Sequence, residues 1–152
     1  FYEEMLIYAH PEHPLHAKKE ISPADIATPD IWLLSDGHCF RNQVVNLCSY
    51  MSGAGGELPF QFEAGSLETI MNIVDKEGGL TLIPELARLD MNPDRRKNIL
   101  SFTTLKPLRE VSLVYSRHFA KHRLINLLWK EVREAVPPGM AGADRGSVVE
   151  WK

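Results

Sequence analysis

The feature that most constrains the fold of this chain is an alternation of short apolar runs with longer stretches of helical periodicity. Apolar runs of strand length occupy residues 5–9, 31–34, 80–83 and 111–115. Other stretches place apolar residues three or four positions apart, which is typical of helices that bury one face. Strands and helices that alternate at this spacing predict an α/β fold with a largely parallel sheet.

Three segments predict amphipathic helices. The first begins near Cys39, the second follows residues 65–66 and stops at residues 78–79, and the third covers residues 124–135 and stops at Pro137. The glycines and prolines at these two ends are common helix terminators. The face that the first helix would bury consists of Phe40, Val44, Leu47, Cys48 and Met51.

The segment around Cys39 combines three features that make a thiol nucleophilic. A strand is predicted to end at Leu34, and a short polar turn leads into the helix that begins near Cys39. The first turn of a helix favours an anion, because its backbone N–H groups are free and its dipole is positive there. His38 and Arg41 add positive charge beside the thiol. Together these features favour the reactive thiolate.

Cys48 follows Cys39 by nine residues, a spacing with a geometric consequence. Nine residues at about 100° each place the two thiols on opposite faces of one helix, about 13 Å apart along its axis. A disulfide requires Cα atoms within about 7 Å of each other. A disulfide between these cysteines therefore requires the helix to unwind. Such a disulfide would be a conformational switch rather than a permanent stabilising cross-link.

Composition excludes several classes of protein. The net charge of −3, from 17 Lys and Arg against 20 Asp and Glu, lacks the basic excess that is typical of a stand-alone nucleic-acid binder. Two cysteines are too few for a secreted disulfide scaffold, so we expect a cytoplasmic protein. No apolar run approaches the roughly 20 residues that a transmembrane helix needs, so we expect no membrane partner.

Histidine spacing offers a weak metal signal. His10, His13 and His16 recur every third residue, and a polyproline II segment would place them on one face. A loop between structural elements is the simpler interpretation. His118 and His122 lie four residues apart but lack the carboxylate of a zinc-protease motif. We therefore expect no metal and no other cofactor.

Residues 36–43, Asp-Gly-His-Cys-Phe-Arg-Asn-Gln, together with Cys48, resemble the redox segment of the OxyR family. This family comprises the hydrogen-peroxide-sensing LysR-type transcriptional regulators. The resemblance runs from residue 1 to about residue 136. One departure is Asn42, which stands where many members carry Asp. The flanking segments that also match the family are residues 13–15, 66–69, 78–84 and 113–115.

The resemblance implies a fold and its division into parts. It implies the Rossmann-like lobes of the LysR-type effector domain, which is similar to periplasmic binding proteins. Residues 1–108 would form the second lobe, and residues 109–136 the returning strand and helix of the first lobe. Residues 137–152 show no periodicity and are expected to be a mobile tail. The DNA-binding winged helix-turn-helix domain and the first half of the effector domain are expected to lie outside this chain.

The resemblance also implies a function. Cys39 would react with hydrogen peroxide to give a sulfenic acid, and Cys48 would resolve it into a Cys39–Cys48 disulfide. His38, Arg41 and Arg109 would line the peroxide pocket and stabilise the thiolate. The implied partners are a second copy in a homodimer or tetramer, promoter DNA through the N-terminal domain, RNA polymerase and a glutaredoxin-type reductant.

Two alternatives remain open. The chain could be a LysR-type effector domain that binds a small metabolite, with incidental cysteines that peroxide leaves unchanged. It could instead be a thiol enzyme such as a peroxidase, which would turn over with a reductant. Since no second redox motif supports such recycling, we expect a sensor and not an enzyme.

Overall fold

The computed structural model describes residues 1–52, 63–118 and 120–150 of the chain. It contains both strands and helices, which confirms the predicted α/β class. The strands are β1 (Tyr2–Ala9), β2 (Leu33–Leu34), β3 (Glu63–Ala64), β4 (Leu80–Pro84), β5 (Ile99–Leu100), β6 (Pro107–Glu110) and β7 (Ser147–Val148). The helices are α1 (Cys39–Ser52), α2 (Leu67–Glu77), α3 (Pro93–Arg96) and α4 (His122–Ala135). None of the helices in these ranges is long and apolar enough to cross a membrane.

Strand β1 is the centre of the main sheet, whose order is β4-β1-β6-β7 with β5 also on β1. Its pairs with β4, β5 and β6 are all antiparallel, so the prediction of a largely parallel sheet is wrong for the described residues. Parallel pairing occurs between β2 and β3 and between β6 and β7. An apolar run indicates burial on both faces of a strand but carries no information about its direction.

The core lies around β1, in which every residue from Glu3 to Ala9 is buried. The buried face of α2, formed by Ile70, Met71 and Val74, belongs to the same core. Helix α2 ends before Gly78, as predicted. The largest fully buried apolar side chains are Met5, Ile7, Tyr8, Ile26, Leu33, Ile70, Leu80, Leu82, Ile83, Phe102 and Leu108.

The two glycines after α2 allow the chain to pass close to Trp32. Gly78 and Gly79 have φ values of 87° and 85°, a region that favours glycine. The Trp32 indole donates a hydrogen bond to the Gly78 carbonyl oxygen at 2.8 Å. A Cβ atom on Gly79 would lie only 2.3 Å from the Asp30 carbonyl oxygen. A larger residue at position 79 would therefore separate β4 from the segment that precedes β2.

The sequence predicts a strand at residues 111–115, but the structure has a strand four residues earlier, at β6. Pairing between β1 and β6 ends at Tyr2 and Glu110, where β1 itself begins. The Val111 amide still donates to the Phe1 carbonyl at 2.9 Å, and no ladder follows. Beyond that point the apolar run pairs with no strand among the residues that the structure describes, and Val114 is exposed. The prediction is wrong because hydrophobicity does not show where a neighbouring strand starts.

Helix α4 forms where the periodicity predicts it, and none of its residues is buried. The sequence predicts no regular structure after residue 136, but the described part of that segment contains a 3₁₀ turn at Ala143–Arg145 and strand β7. Met140 is buried, and Arg145 forms an ion pair with Glu85 at 2.6 Å. The segment is therefore folded against the domain.

Candidate functional site

Cys39 is the first residue of α1, and its side chain is exposed. Cys48, on the same helix, is fully buried. Both cysteines are in the thiol form. The predicted start of the helix and the predicted buried face are confirmed for Phe40, Val44, Leu47 and Cys48. The side chain of Met51 lies outside the described residues.

Burial changes the chemistry of the Cys48 thiol. It raises the pKa of Cys48 from 9.0 to about 12, because the surrounding core cannot solvate a thiolate. Cys48 is therefore a protonated, inactive thiol at neutral pH as long as α1 keeps its position. To act as a nucleophile it must leave this environment.

Two charged residues beside Cys39 form an ion pair across the turn before α1. Arg41 Nη1 lies 3.0 Å from Asp36 Oδ1. The arginine side chain is mostly buried, whereas the aspartate is almost fully exposed. The Arg41 amide donates to the His38 carbonyl at 3.0 Å, and the His38 side chain is exposed. The first turn of α1 thus carries a fixed positive charge and an accessible thiol.

Arg109 reaches the same helix from the sheet. Its Nε lies 2.8 Å from Oε1 of the buried Glu3, and its guanidinium carbon lies 5.3 Å from the centre of the Phe40 ring. The other Glu3 oxygen accepts the Leu86 amide at 3.0 Å. Since Phe40 follows Cys39 directly, Arg109 links β6 to the first turn of α1.

The predicted site residues are thus divided between two environments. The first turn of α1 contains Cys39 and Arg41, and His38 directly precedes it. Arg109 contacts this turn through Phe40. Cys48 lies on the buried face of the helix. Sequence reasoning missed two residues that hold these cations, Asp36 and Glu3. The sequence contains a signal for each of them. Asp36 is an acidic residue close to Arg41 in the sequence, and Glu3 is a carboxylate at the start of an apolar run.

The histidines pair locally rather than converging on one point. His13 Nε2 lies 3.1 Å from Asp30 Oδ2, His10 Nδ1 accepts the Glu12 amide, and His16 Nε2 lies 3.4 Å from the Ala9 carbonyl oxygen. In the part of the chain that the structure describes, no group of three or more His, Cys, Asp or Glu side chains could hold a metal ion.

Comparison with known proteins agrees with this fold. The LysR substrate binding domain family matches residues 1–137. The chain is 35% identical over 118 residues to the DNA-binding transcriptional dual regulator OxyR of Escherichia coli K12, which covers 76% of this chain and 37% of that protein. It is 32% identical over 115 residues to a hydrogen peroxide-inducible genes activator of Haemophilus influenzae, with the same coverage. The chain therefore spans about 37% of the length of these relatives.

Among solved structures, reduced OxyR from Porphyromonas gingivalis superposes with a TM-score of 0.83 at 30% identity, covering 97% of this chain and 67% of that one. The chain belongs to the LysR substrate-binding domain family. Within this family it is an OxyR-like regulatory domain of a LysR-type regulator, since the matched sequences and structures are those of OxyR proteins. The first of these relatives is named as a transcriptional regulator and the second as a gene activator, which agrees with the prediction of a regulatory domain.

Proposed function

We propose that this domain senses hydrogen peroxide through reversible oxidation of Cys39 and Cys48. The observation that carries the proposal is the arrangement of the two thiols on α1. One is exposed at the helix N-terminus beside Arg41, and the other is buried on the opposite face of the same helix. The similarity to proteins named as hydrogen peroxide-inducible gene activators supports the same function.

The chemistry proceeds in two balanced steps. The Cys39 thiolate attacks one peroxide oxygen, the O–O bond breaks, and hydroxide leaves and takes up a proton, which gives a sulfenic acid and water. Cys48 sulfur then attacks the sulfenic sulfur, the S–O bond breaks, and a second water leaves. Two thiols are oxidised and one peroxide is reduced. His38, Arg41 and Arg109 are the residues that we propose line the peroxide pocket, with Arg41 on the first turn of α1 and Arg109 in contact with Phe40.

The second step couples oxidation to structure. Cys48 is protonated and buried in the folded helix, and helical geometry keeps it about 13 Å along the axis from Cys39. Disulfide formation therefore requires part of α1 to unwind, which exposes Cys48 and lets its pKa return towards the ordinary value. The energy of peroxide reduction is thereby converted into a conformational change.

The remaining parts of the proposal concern the whole regulator. The oxidised domain changes how a homodimer or tetramer binds promoter DNA and recruits RNA polymerase, with the DNA contacts made by a winged helix-turn-helix domain. A glutaredoxin-type dithiol resets the disulfide by thiol exchange, which takes place in the cytoplasm.

The test is the intact mass and free-thiol count of the reduced chain, before and after near-stoichiometric hydrogen peroxide. We expect both thiols to disappear and the mass to fall by about two daltons, the two hydrogens lost on disulfide formation. Circular dichroism of the same sample establishes that the chain is folded. Two thiols that survive excess peroxide in a folded chain would refute the proposal.

A second candidate function is metabolite binding. The observation that favours it is an open cleft of about 480 Å³, whose lining includes Tyr2, Glu110, Tyr115 and Trp129. Its volume lies within the range of roughly 300–1,000 Å³ that is typical of small-molecule sites. In this case the cysteines are incidental, so peroxide leaves both thiols intact.

A further inference from the structure

The C-terminal segment is hydrogen-bonded to the helix that carries both cysteines. Asn46 Nδ2 donates to the Glu150 carbonyl oxygen at 2.9 Å, and Gln43 Nε2 donates to the Val149 carbonyl oxygen at 3.4 Å. Both side chains lie on α1 between Cys39 and Cys48. The match to the substrate-binding domain family ends at residue 137, before the residues that make these contacts.

The same segment is joined to the sheet on its other side. Strand β7 pairs in parallel with β6, the strand that carries Arg109. The Ser147 amide donates to the Lys106 carbonyl and the Val149 amide to the Leu108 carbonyl, both at 2.8 Å. The Val149 side chain packs against the buried core. Residues 147–150 therefore connect the edge of the sheet to the middle of α1.

From these contacts we propose that residues 147–150 hold α1 in its reduced position, with Asn46 and Gln43 as the positioning residues. The proposal rests on the peroxide switch proposed above. Unwinding α1 between the two cysteines breaks both hydrogen bonds, because their donors lie within the segment that must change. The anchored helix therefore resists the step that delivers Cys48 to the Cys39 sulfenic acid.

The consequence is a shift in the balance between the two oxidised forms. Stronger contacts between residues 147–150 and α1 lengthen the lifetime of the sulfenic acid and favour reduction of the disulfide. Weaker contacts have the opposite effect. The first step, attack of Cys39 on peroxide, takes place at the exposed end of α1 and is unaffected. Gln43 is buried, so its replacement would also disturb packing, and Asn46 is the better position to test.

The experiment uses the full chain with Asn46→Ala, a second variant that ends at Gly146, and Asn42→Ala as the matched control. Asn42 is exposed on the same helix, so Asn42→Ala and Asn46→Ala raise helix propensity by the same amount. The two variants differ because Asn46→Ala removes the hydrogen bond to Glu150. In a Cys39→Ser background, alkylation of Cys48 by iodoacetamide reports how often α1 opens. With both cysteines present, the loss of the second thiol after one equivalent of peroxide reports disulfide formation.

Relative to the Asn42→Ala control, we expect Asn46→Ala to raise both rates by roughly three- to tenfold, the factor for about one hydrogen bond of typical net strength. The chain that ends at Gly146 should exceed it, provided that circular dichroism shows it to be folded. Equal alkylation rates in Asn46→Ala and Asn42→Ala would overturn the proposal. A parent chain that keeps both thiols in peroxide overturns only the proposed function, and the alkylation rates then still decide whether residues 147–150 hold α1.

Discussion

Glu3 and Arg109 lie directly opposite each other in the antiparallel pair of β1 and β6, and their side chains form an ion pair at 2.8 Å. The same guanidinium lies over the ring of Phe40, next to the exposed thiol of Cys39. The pair therefore ties the first turn of α1 to the centre of the sheet. The buried Glu3 carboxylate therefore helps to position the cation that contacts this turn through Phe40.

Glu3→Gln is expected to destabilise the chain by about 2–3 kcal/mol, because the buried amide cannot balance the Arg109 charge and retains one acceptor for two donors. Urea unfolding followed by circular dichroism measures this change. The control is Glu20→Gln, an exposed position where the same substitution should cost almost nothing. Equal stability of the two variants would show that the ion pair contributes nothing measurable.

Leucines of the sheet and of α4 should respond differently to truncation. Leu82 is buried in β4, whereas Leu127 is half exposed on α4. Leu82→Ala should lower the free energy of unfolding by about 2–5 kcal/mol, because apolar burial is lost and a cavity remains. Leu127→Ala should cost less than about 1 kcal/mol, because its side chain is only partly removed from water in this chain. Urea unfolding compares the two, and equal losses would contradict the packing described here.

The start of α1 and its buried face could be predicted from sequence because both are local. Capping preferences and a repeat of three or four residues identify the helix, and the nine-residue spacing then places Cys39 and Cys48 on opposite faces. The direction of the strands could not be predicted in this way. Val114 shows the same limit, because its apolar run lies beyond the first residue of β1 and pairs with no strand among the described residues.

The contacts that support the site are long-range and for that reason were not predictable. The Glu3–Arg109 pair depends on the register of two strands that lie far apart in the sequence. The contacts between β7 and α1 use backbone carbonyls of Val149 and Glu150 as acceptors, which leave no pattern of side chains to detect. The sequence therefore singled out the two cysteines, and the structure was needed to find the contacts of the helix that carries them.

Cys48→Ser should separate the two chemical steps. Without the second thiol, Cys39 is still oxidised by peroxide, but the product stays a sulfenic acid and no disulfide forms. Labelling with dimedone followed by intact mass spectrometry should detect the sulfenic acid in the variant and little of it in the parent chain. A variant whose Cys39 resists peroxide would argue that Cys48 is needed for the first step, contrary to the exposed position of Cys39.

Stability should fall at alkaline pH because of Cys48. Burial raises its pKa from 9.0 to about 12, so the unfolded chain loses this proton first as pH increases. The protonated Cys48 thiol therefore contributes fully to the free energy of unfolding below about pH 9, and this contribution declines as the pH rises towards 12. Urea unfolding on either side of pH 9 measures the decline, with Cys48→Ala as the control, since Tyr8 also titrates higher than usual. Parallel pH profiles for the parent and Cys48→Ala would contradict the burial of this thiol.

Two substitutions in the ion pair beside Cys39 should change its oxidation rate in opposite directions. Arg41→Gln removes a positive charge from the first turn of α1, and Asp36→Asn removes the negative charge that partly cancels it. We expect the first to slow and the second to accelerate sulfenic acid formation by roughly two- to fivefold each, because water around the exposed Asp36 and Cys39 weakens the electrostatic interaction. The rates are measured by stopped-flow peroxide consumption in a Cys48→Ser background, with the exposed Arg88→Gln as the control. Because a purely structural role for the pair would move both rates the same way, changes of the same sign would refute the electrostatic explanation.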